Sequence, residues 1–361
     1  MSINQSKDSY YLKLAFQQAE INLGSTSPNP SVGCVIVKNN SVISSGHTSL
    51  KGRPHAEVNA LSRKLNFRNA KIFITLEPCS HYGKTPPCVN KIINKKLDQV
   101  VFSINDTDSR SKNFSTAILK KNKIKVKKFI LQRFAKIFYK SYFLQTKKKI
   151  VFIDGKLAIS NDYLTIGKKK RWITNKKSRK LANFIRSKYD CILSTSKTLN
   201  DDNPLMNCRV ESLERKTPDL VIIDRGFKIK KNLKIFKNKN RKIYIFTFLN
   251  NNKKEKFFKK KGVNIVKLKT SDIDIEVLKA IFLKIKHLGL NRILVEAGLT
   301  FLNKMIKYNF LENFYLFKSS SNLSSNGFNN STPYYLKKFK FTEKNKIKVN
   351  LKDDNLYKIK L

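Results

Sequence analysis

Apolar residues recur at every fourth position in Tyr11, Ala15, Ala19 and Leu23, which predicts an amphipathic helix stopped by Gly24. The pattern then changes to short apolar runs. Gly33-Cys34-Val35-Ile36-Val37 and Val42-Ile43-Ser44 flank Asn39-Asn40 and read as a β-hairpin. Pro54 opens a predicted helix over 55–61. Residues 72–76 read as a buried strand, 89–93 as a helix and 100–104 as another strand. Strand, helix, strand in that order implies a parallel pair with a right-handed crossover, hence an α/β sandwich. The lysine-rich stretch 120–149 carries one predicted helix, 134–144, and then a boundary. A second α/β series follows, with strands at 189–194, 220–223, 243–248, 263–266 and 292–295 and a helix over 275–288. Beyond Lys318 the chain is polar and low in complexity, which predicts loop with a final edge strand or two. No internal repeat is present.

Length sharpens this into domains. A chain of 361 residues suits two, and the boundary is placed to give 1–146 and 147–361. The 40% hydrophobic content supports real cores and excludes wholesale disorder. No apolar run approaches the ~18 residues of a membrane span, so no membrane partner is expected. The polar start lacks the apolar stretch of a signal peptide. Five scattered cysteines, an odd number, make no disulfide framework and suit a reducing cytoplasm. Lysine and arginine number 75 against 25 acidic residues, a formal net charge of +50. Such a charge would hold polyanions without specificity at low salt. The lysines, however, spread along the whole chain in company with asparagine and isoleucine, as in Lys237-Asn238-Lys239-Asn240. This favours general composition drift over a specific nucleic-acid site, and charge names no function.

Chemistry enters at His55-Ala56-Glu57, Pro78-Cys79 and Cys88. One imidazole and two thiolates give Zn²⁺ three protein ligands and leave a fourth tetrahedral position open, as in catalytic sites. Cys79 follows a strand; Cys88, after Pro86-Pro87, belongs in the first turn of the next helix, where the dipole favours a thiolate. Glu57 is too close to His55 in sequence to ligate comfortably and is placed to shuttle protons. Any of these residues alone is more often structural. Together, His-x-Glu at a helix start and Pro-Cys after a strand match the zinc-deaminase signature. In the second half no Gly-x-Gly-x-x-Gly follows a strand. Val295-Glu296-Ala297-Gly298, with Thr300 placed to cap a helix over 301–308, suits a cofactor pyrophosphate, although such a segment taken alone is more often an ordinary strand-to-helix turn.

Eight residues, Ser80 to Pro87, separate the two cysteines, where nucleic-acid and nucleoside deaminases usually have two. That insert, with Pro28-Asn29-Pro30-Ser31-Val32-Gly33-Cys34-Val35-Ile36-Val37 and Gly46-His47, closely resembles the bifunctional riboflavin-biosynthesis deaminase/reductase family over essentially the full chain. The resemblance implies an α/β protein: an N-terminal cytidine-deaminase-like α/β/α sandwich and a C-terminal dihydrofolate-reductase-like α/β domain. It implies zinc-dependent hydrolytic deamination of 2,5-diamino-6-(5-phosphoribosylamino)pyrimidin-4(3H)-one. NADPH-dependent reduction of the ribosyl chain then gives 5-amino-6-(5-phosphoribitylamino)uracil. One zinc per chain would lie on His55, Cys79 and Cys88 with Glu57 catalytic, and Asn29, His47 and Lys84 would contact substrate. A plain surface role for Lys84 stays open.

The family's second half is matched by Lys156-Leu157-Ala158-Ile159-Ser160, Trp172-Ile173-Thr174, the stretch Thr198 to Met206, and Glu296-Ala297-Gly298. By that match Ala158, Trp172, Thr198, Asp202, Gly298, Leu299 and Thr300 would touch NADP. Lys156, Lys170, Arg186, Met206, Arg209 and Glu296 would hold the ribosyl phosphate. Lys170, Arg225, Tyr163 in Asn161-Asp162-Tyr163, and the Ser/Asn-rich stretch 319–330 depart from the family pattern and leave room for a weakened reductase. The resemblance implies a small-molecule substrate, no specific nucleic acid, a cytoplasmic location and, as one outcome, a homo-oligomer paired through the reductase domain. The alternative is a nucleic-acid deaminase held to RNA or single-stranded DNA by the basic surface.

Overall fold

Alternate residues of each strand face opposite sides of a sheet, and in the central strands of the first half of the chain both sides are apolar. The computed structural model describes residues 3–361 apart from 109, 111–113, 170, 171, 239 and 270–273. Lys170, a predicted substrate residue, therefore lies outside the described residues. The chain divides into two compact units, Met1–Ile150 and Val151–Leu361.

The first unit is built on β1 (Gly33–Lys38), β2 (Ser41–His47), β3 (Lys71–Ile74), β4 (Gln99–Phe102) and β5 (Lys125–Lys128), in the order β2-β1-β3-β4-β5. β1 runs antiparallel to both its neighbours, whereas β3, β4 and β5 are parallel. Val35, Val37, Phe73 and Val101 face α1 (Ile3–Ile21), which covers them with Tyr11, Leu12 and Ala15. Cys34, Ile36, Ile72, Ile74, Val100 and Phe102 face α2 (Ala56–Leu61) and α3 (Cys88–Asn94), which contribute Ala56, Ala60, Val89 and Ile92. The hairpin turn has both asparagines left-handed, Asn39 at φ 50° and Asn40 at φ 60°, the conformation a two-residue hairpin loop demands. α4 (Phe114–Lys121), α5 (Gln132–Phe138) and α6 (Lys140–Phe143) complete the unit, followed by a π turn over Leu144–Lys148.

Three expectations are corrected here. The first helix ends at Ile21, so Leu23 lies in the turn that Gly24 completes at φ 81°. The helix after Pro54 starts at Ala56 with His55 as its N-cap. The single helix expected over 134–144 is broken at Tyr139, whose side chain is buried.

Seating of α2 on β2 depends on one glycine. A Cβ on Gly46 would overlap the Ala56 carbonyl oxygen and fall 2.6 Å from the Ala60 nitrogen. Gly46→Ala is expected to destabilise the first unit by about 3 kcal/mol, the upper end for an overpacked contact. A lower urea midpoint for its transition checks this; an unchanged midpoint refutes it.

The second unit carries β6 (Phe152–Ile159), β7 (Ile166–Gly167), β8 (Cys191–Thr195), β9 (Asp219–Ile223), β10 (Ile243–Thr247), β11 (Val263–Lys267), β12 (Arg292–Val295), β13 (Asn313–Lys318), β14 (Gly327–Phe328) and β15 (Asn355–Lys360). The sheet order is β11-β10-β9-β8-β12-β6-β13-β15, parallel except for β15, and β7 pairs with β14 as a separate ribbon. One face is packed by α10 (Ile275–His287) and α11 (Leu299–Lys307), which follow α7 (Lys176–Arg186), α8 (Ser196–Asp202) and α9 (Asn252–Lys260) in the chain. The opposite face receives Leu199 of α8 and Phe258 of α9. A last short helix, α12, spans Tyr334–Lys338. Gly298, not Thr300, caps α11, and Thr300 sits inside its first turn.

Candidate active site

Each candidate metal donor comes from a different element. His55 caps α2 with extended backbone, Cys79 follows β3, and Cys88 is the first residue of α3 behind Pro87. His55 Nδ1 lies 3.6 Å from Cys79 Sγ and 3.4 Å from Cys88 Sγ, and all three donor atoms lie within 4.8 Å of one another. Zinc with tetrahedral bonds of ~2.3 Å to sulfur and ~2.05 Å to nitrogen has N···S edges of ~3.6 Å. The donor set therefore fits zinc. The Cys88 backbone N–H donates to Cys79 Sγ at 3.3 Å, which brings the positive end of α3 to that sulfur. Hydrogen bonding from Cys88, against burial but with help from His55, holds the Cys79 thiol down at about 4. The side-chain hydrogen bond with Cys79 and burial push the Cys88 thiol up.

Glu57, in the first turn of α2, is only 3% exposed. Burial pushes its carboxyl up to about 7 while the His55 charge opposes the rise. A carboxyl that changes protonation near neutral pH is suited to taking and returning a proton. The remaining cysteines, Cys34, Cys191 and Cys208, are buried.

The candidate substrate residues of this unit are tied to the same elements to different degrees. Asn29 Nδ2 donates to the Gly52 carbonyl at 2.9 Å, three residues ahead of His55. The His47 carbonyl accepts from Asn59 of α2 at 2.7 Å. Lys84 is exposed in the insert between the cysteines, where neighbouring Thr85 bonds to Arg53. Sequence reasoning missed Glu77. It is buried two residues before Cys79, takes the Ser115 hydroxyl at 2.5 Å and the Asp106 N–H at 3.1 Å, and so pins the ligand turn to the segment after β4. Its place beside Pro78-Cys79 was the one signal in the sequence.

In the second unit Lys156 and Ala158 lie in β6, Thr198 just beyond the carboxyl end of β8, and Glu296 and Gly298 just beyond that of β12, the end at which open parallel sheets bind ligands. The Gly298 N–H donates to Thr198 Oγ1 at 3.1 Å, so the starts of α8 and α11 meet. Leu299 turns its side chain into the core, which leaves only its backbone for a ligand. Trp172 is 55% exposed, with Arg179 over its ring. Ala158 is partly buried, Met206 is buried at φ 48°, and Asp202 and Arg209 are exposed.

Glu296 is the hub. It accepts from Arg186 through both oxygens, at 2.6 and 2.9 Å, and from Lys156 at 3.2 Å. Arg186 is thus buried and committed to Glu296, Asn183 and the Asn207 carbonyl. Two cations around one carboxylate leave a single positive charge, a surplus suited to an anionic ligand. Burial raises the Glu296 carboxyl, but Arg186 and Lys156 outweigh it and hold the group at about 2, below its ordinary 4.5. A depressed carboxyl stabilises the fold above its unfolded value and loses that contribution as pH falls through 4.5 towards 2. The shift corresponds to about 3 kcal/mol. Thermal melts of the wild type should therefore fall more steeply over that acid window than those of Glu296→Gln, and parallel slopes would refute the assignment.

Fold and site together define a cytidine-deaminase-like zinc unit joined to a second, reductase-type α/β unit. Residues 5–104 match the cytidine and deoxycytidylate deaminase zinc-binding region, and residues 148–320 match the RibD C-terminal domain. The riboflavin biosynthesis protein RibD of Aquifex aeolicus is 31% identical over 319 residues, covering 86% of each chain. That of Buchnera aphidicola is 32% identical over 321 residues, covering 84% of this chain and 85% of its own. The fold of Acinetobacter baumannii RibD superposes with a TM-score of 0.82 at 24% identity over 99% of both chains. The chain belongs to the RibD family of riboflavin biosynthesis proteins. The nucleic-acid deaminase alternative finds no support in these relationships. Among the described residues no helix is long and apolar enough to cross a membrane.

Proposed function

We propose that this bifunctional deaminase and reductase of riboflavin biosynthesis divides its two chemistries between its two units. Residues 1–150 deaminate 2,5-diamino-6-(5-phosphoribosylamino)pyrimidin-4(3H)-one, and residues 151–361 reduce the ribosyl chain of that product to ribityl. The observation that carries the first half is the zinc-sized triangle of His55, Cys79 and Cys88 beside buried Glu57. One zinc per chain is held by those three donors. Zinc, when bound, supplies Lewis-acid activation of water, and NADPH supplies reducing equivalents. Glu57 takes a proton from the attacking water at its carboxylate and delivers it to the ring nitrogen. It then takes the second proton from the hydroxyl left on the ring carbon and passes it to the amino group, which departs as ammonia. Asn29 and His47 orient the pyrimidine, and Lys84 adds charge for its phosphate.

In the reductase unit Thr198, Gly298 and the start of α11 receive NADPH, with Ala158, Trp172 and Asp202 around it. Lys156 and exposed Arg209 meet the sugar phosphate, while Arg186 acts through the Glu296 carboxylate that it grips. Met206 lines this side. The unpaired thiols fit a cytoplasmic enzyme, and pairing through the reductase unit is part of this reading.

Mass spectrometry of products from the diaminopyrimidinone ribosylamino phosphate, using zinc-loaded protein with and without NADPH, tests the assignment. Deaminated product without NADPH and deaminated, reduced product with it are expected. Unchanged substrate from folded, zinc-replete protein would overturn the proposal. A product left unreduced would place a defect at the altered residues Tyr163 and Arg225 or in the stretch 319–330.

A further inference from the structure

The segment after β5 does more than lead into the second unit. Residues 139, 142 and 146 carry hydroxyls at i, i+3 and i+7, a spacing that sets them along one face of a helical stretch. All three are bonded to the carboxyl edge of the deaminase sheet. Tyr139 shares a 2.5 Å hydrogen bond with Thr75, the residue after β3, and its hydroxyl also reaches the Ser31 carbonyl at 3.2 Å. Thr75 Oγ1 accepts from the Gly33 N–H at 3.0 Å, so one phenol joins the end of β3 to the start of β1. Ser31 lies two residues beyond Asn29. Tyr142 donates to Asp106 Oδ1 at 2.9 Å. The backbone of Asp106 in turn donates to Glu77, ahead of Cys79. Thr146 shares a 2.6 Å bond with Thr107. The segment lies between the two matched regions, which end at 104 and resume at 148.

We infer that residues 139–146 form a strap that positions the substrate side of the deaminase site, with Tyr139 and Tyr142 as positioning residues. The inference rests on the first unit being the deaminase. The strap ties down the stretch that leads from Asn29 and the stretch after β4, and it supplies none of the candidate metal donors. Loosening it should therefore weaken how substrate is held before it affects the metal. Phenylalanine is the apt replacement, because the Tyr139 ring packs among Phe16, Phe138 and Phe143 and only the hydroxyl is lost.

The test compares full-length wild type with the double variant Tyr139→Phe/Tyr142→Phe in zinc content, deaminase KM and kcat, and reductase KM. We expect one zinc per chain and an unchanged reductase. The deaminase KM should rise on the order of tenfold, the scale of one or two lost hydrogen bonds, with kcat changed far less. A deaminase KM at the wild-type value overturns the inference. So does a loss of zinc and deaminase turnover in step with a lowered Tm, which marks a folding role only. Thr146→Val removes the bond to Thr107 together with the local bond from Thr146 Oγ1 to the Tyr142 carbonyl, and serves if the double variant does not fold. A rise in its deaminase KM supports the strap, and an unchanged one counts against it. Wild type that leaves substrate undeaminated refutes the parent assignment instead, so the two failures are distinct.

Discussion

Glu57→Gln should keep zinc and lose deamination, with turnover falling about 10³-fold, within the range for a lost general acid–base group. The amide keeps the size and much of the hydrogen bonding of the carboxyl in the first turn of α2, so the helix and its His55 cap stay in place. What it loses is basicity. The Glu57 carboxyl is poised near neutrality because burial disfavours its charged form, and an amide cannot accept and return a proton. Zinc analysis and steady-state deaminase assays check both halves of the expectation. Turnover within tenfold of wild type would remove Glu57 from the mechanism, and loss of zinc would make it part of the metal's support.

Cys79→Ser should strip the metal and abolish deamination while the reductase continues to work. A serine hydroxyl stays protonated at neutral pH, so the site loses both a soft donor and a negative charge that balances Zn²⁺. It also leaves the Cys88 N–H facing a neutral hydroxyl in place of the sulfur it bonds. Changes one shell further from a metal already cost 10–100-fold in affinity, so a lost ligand should exceed about 100-fold. The reductase is expected to survive because its sheet and core belong to the separate unit Val151–Leu361. Metal analysis after dialysis, with a reductase assay on deaminated substrate, reads the two units independently. One zinc per chain in this variant would exclude Cys79 as a ligand.

The candidate metal centre was readable in the chain because its chemistry depends on scarce residue types. His55, Cys79 and Cys88 are conspicuous in a sequence crowded with lysine, and the surrounding strand and helix signals placed them at the right ends of their elements. The strap was not readable. Its bonds span 64 residues from Thr75 to Tyr139 and 36 from Asp106 to Tyr142, and common hydroxyls carry no local mark. Similarly, the paired stretch Asn313–Lys318 gave too short an apolar signal to distinguish a strand from other buried chain, and the break at Tyr139 inside an expected helix follows from where that ring is buried.

Periodicity, turn chemistry and rare side chains, all local properties, were enough to indicate two α/β halves, the asparagine hairpin and the candidate metal donor set. The resemblance of whole motifs extended this to candidate cofactor-binding residues. Only the tertiary structure could show that Arg186 is committed to Glu296, 110 residues away, or that Leu299 turns inward and Gly298 takes the capping position expected of Thr300. The reason is physical. Local sequence biases the backbone, but which charges meet, which rings are buried and which hydroxyls find partners depend on strands and helices brought together from distant parts of the chain.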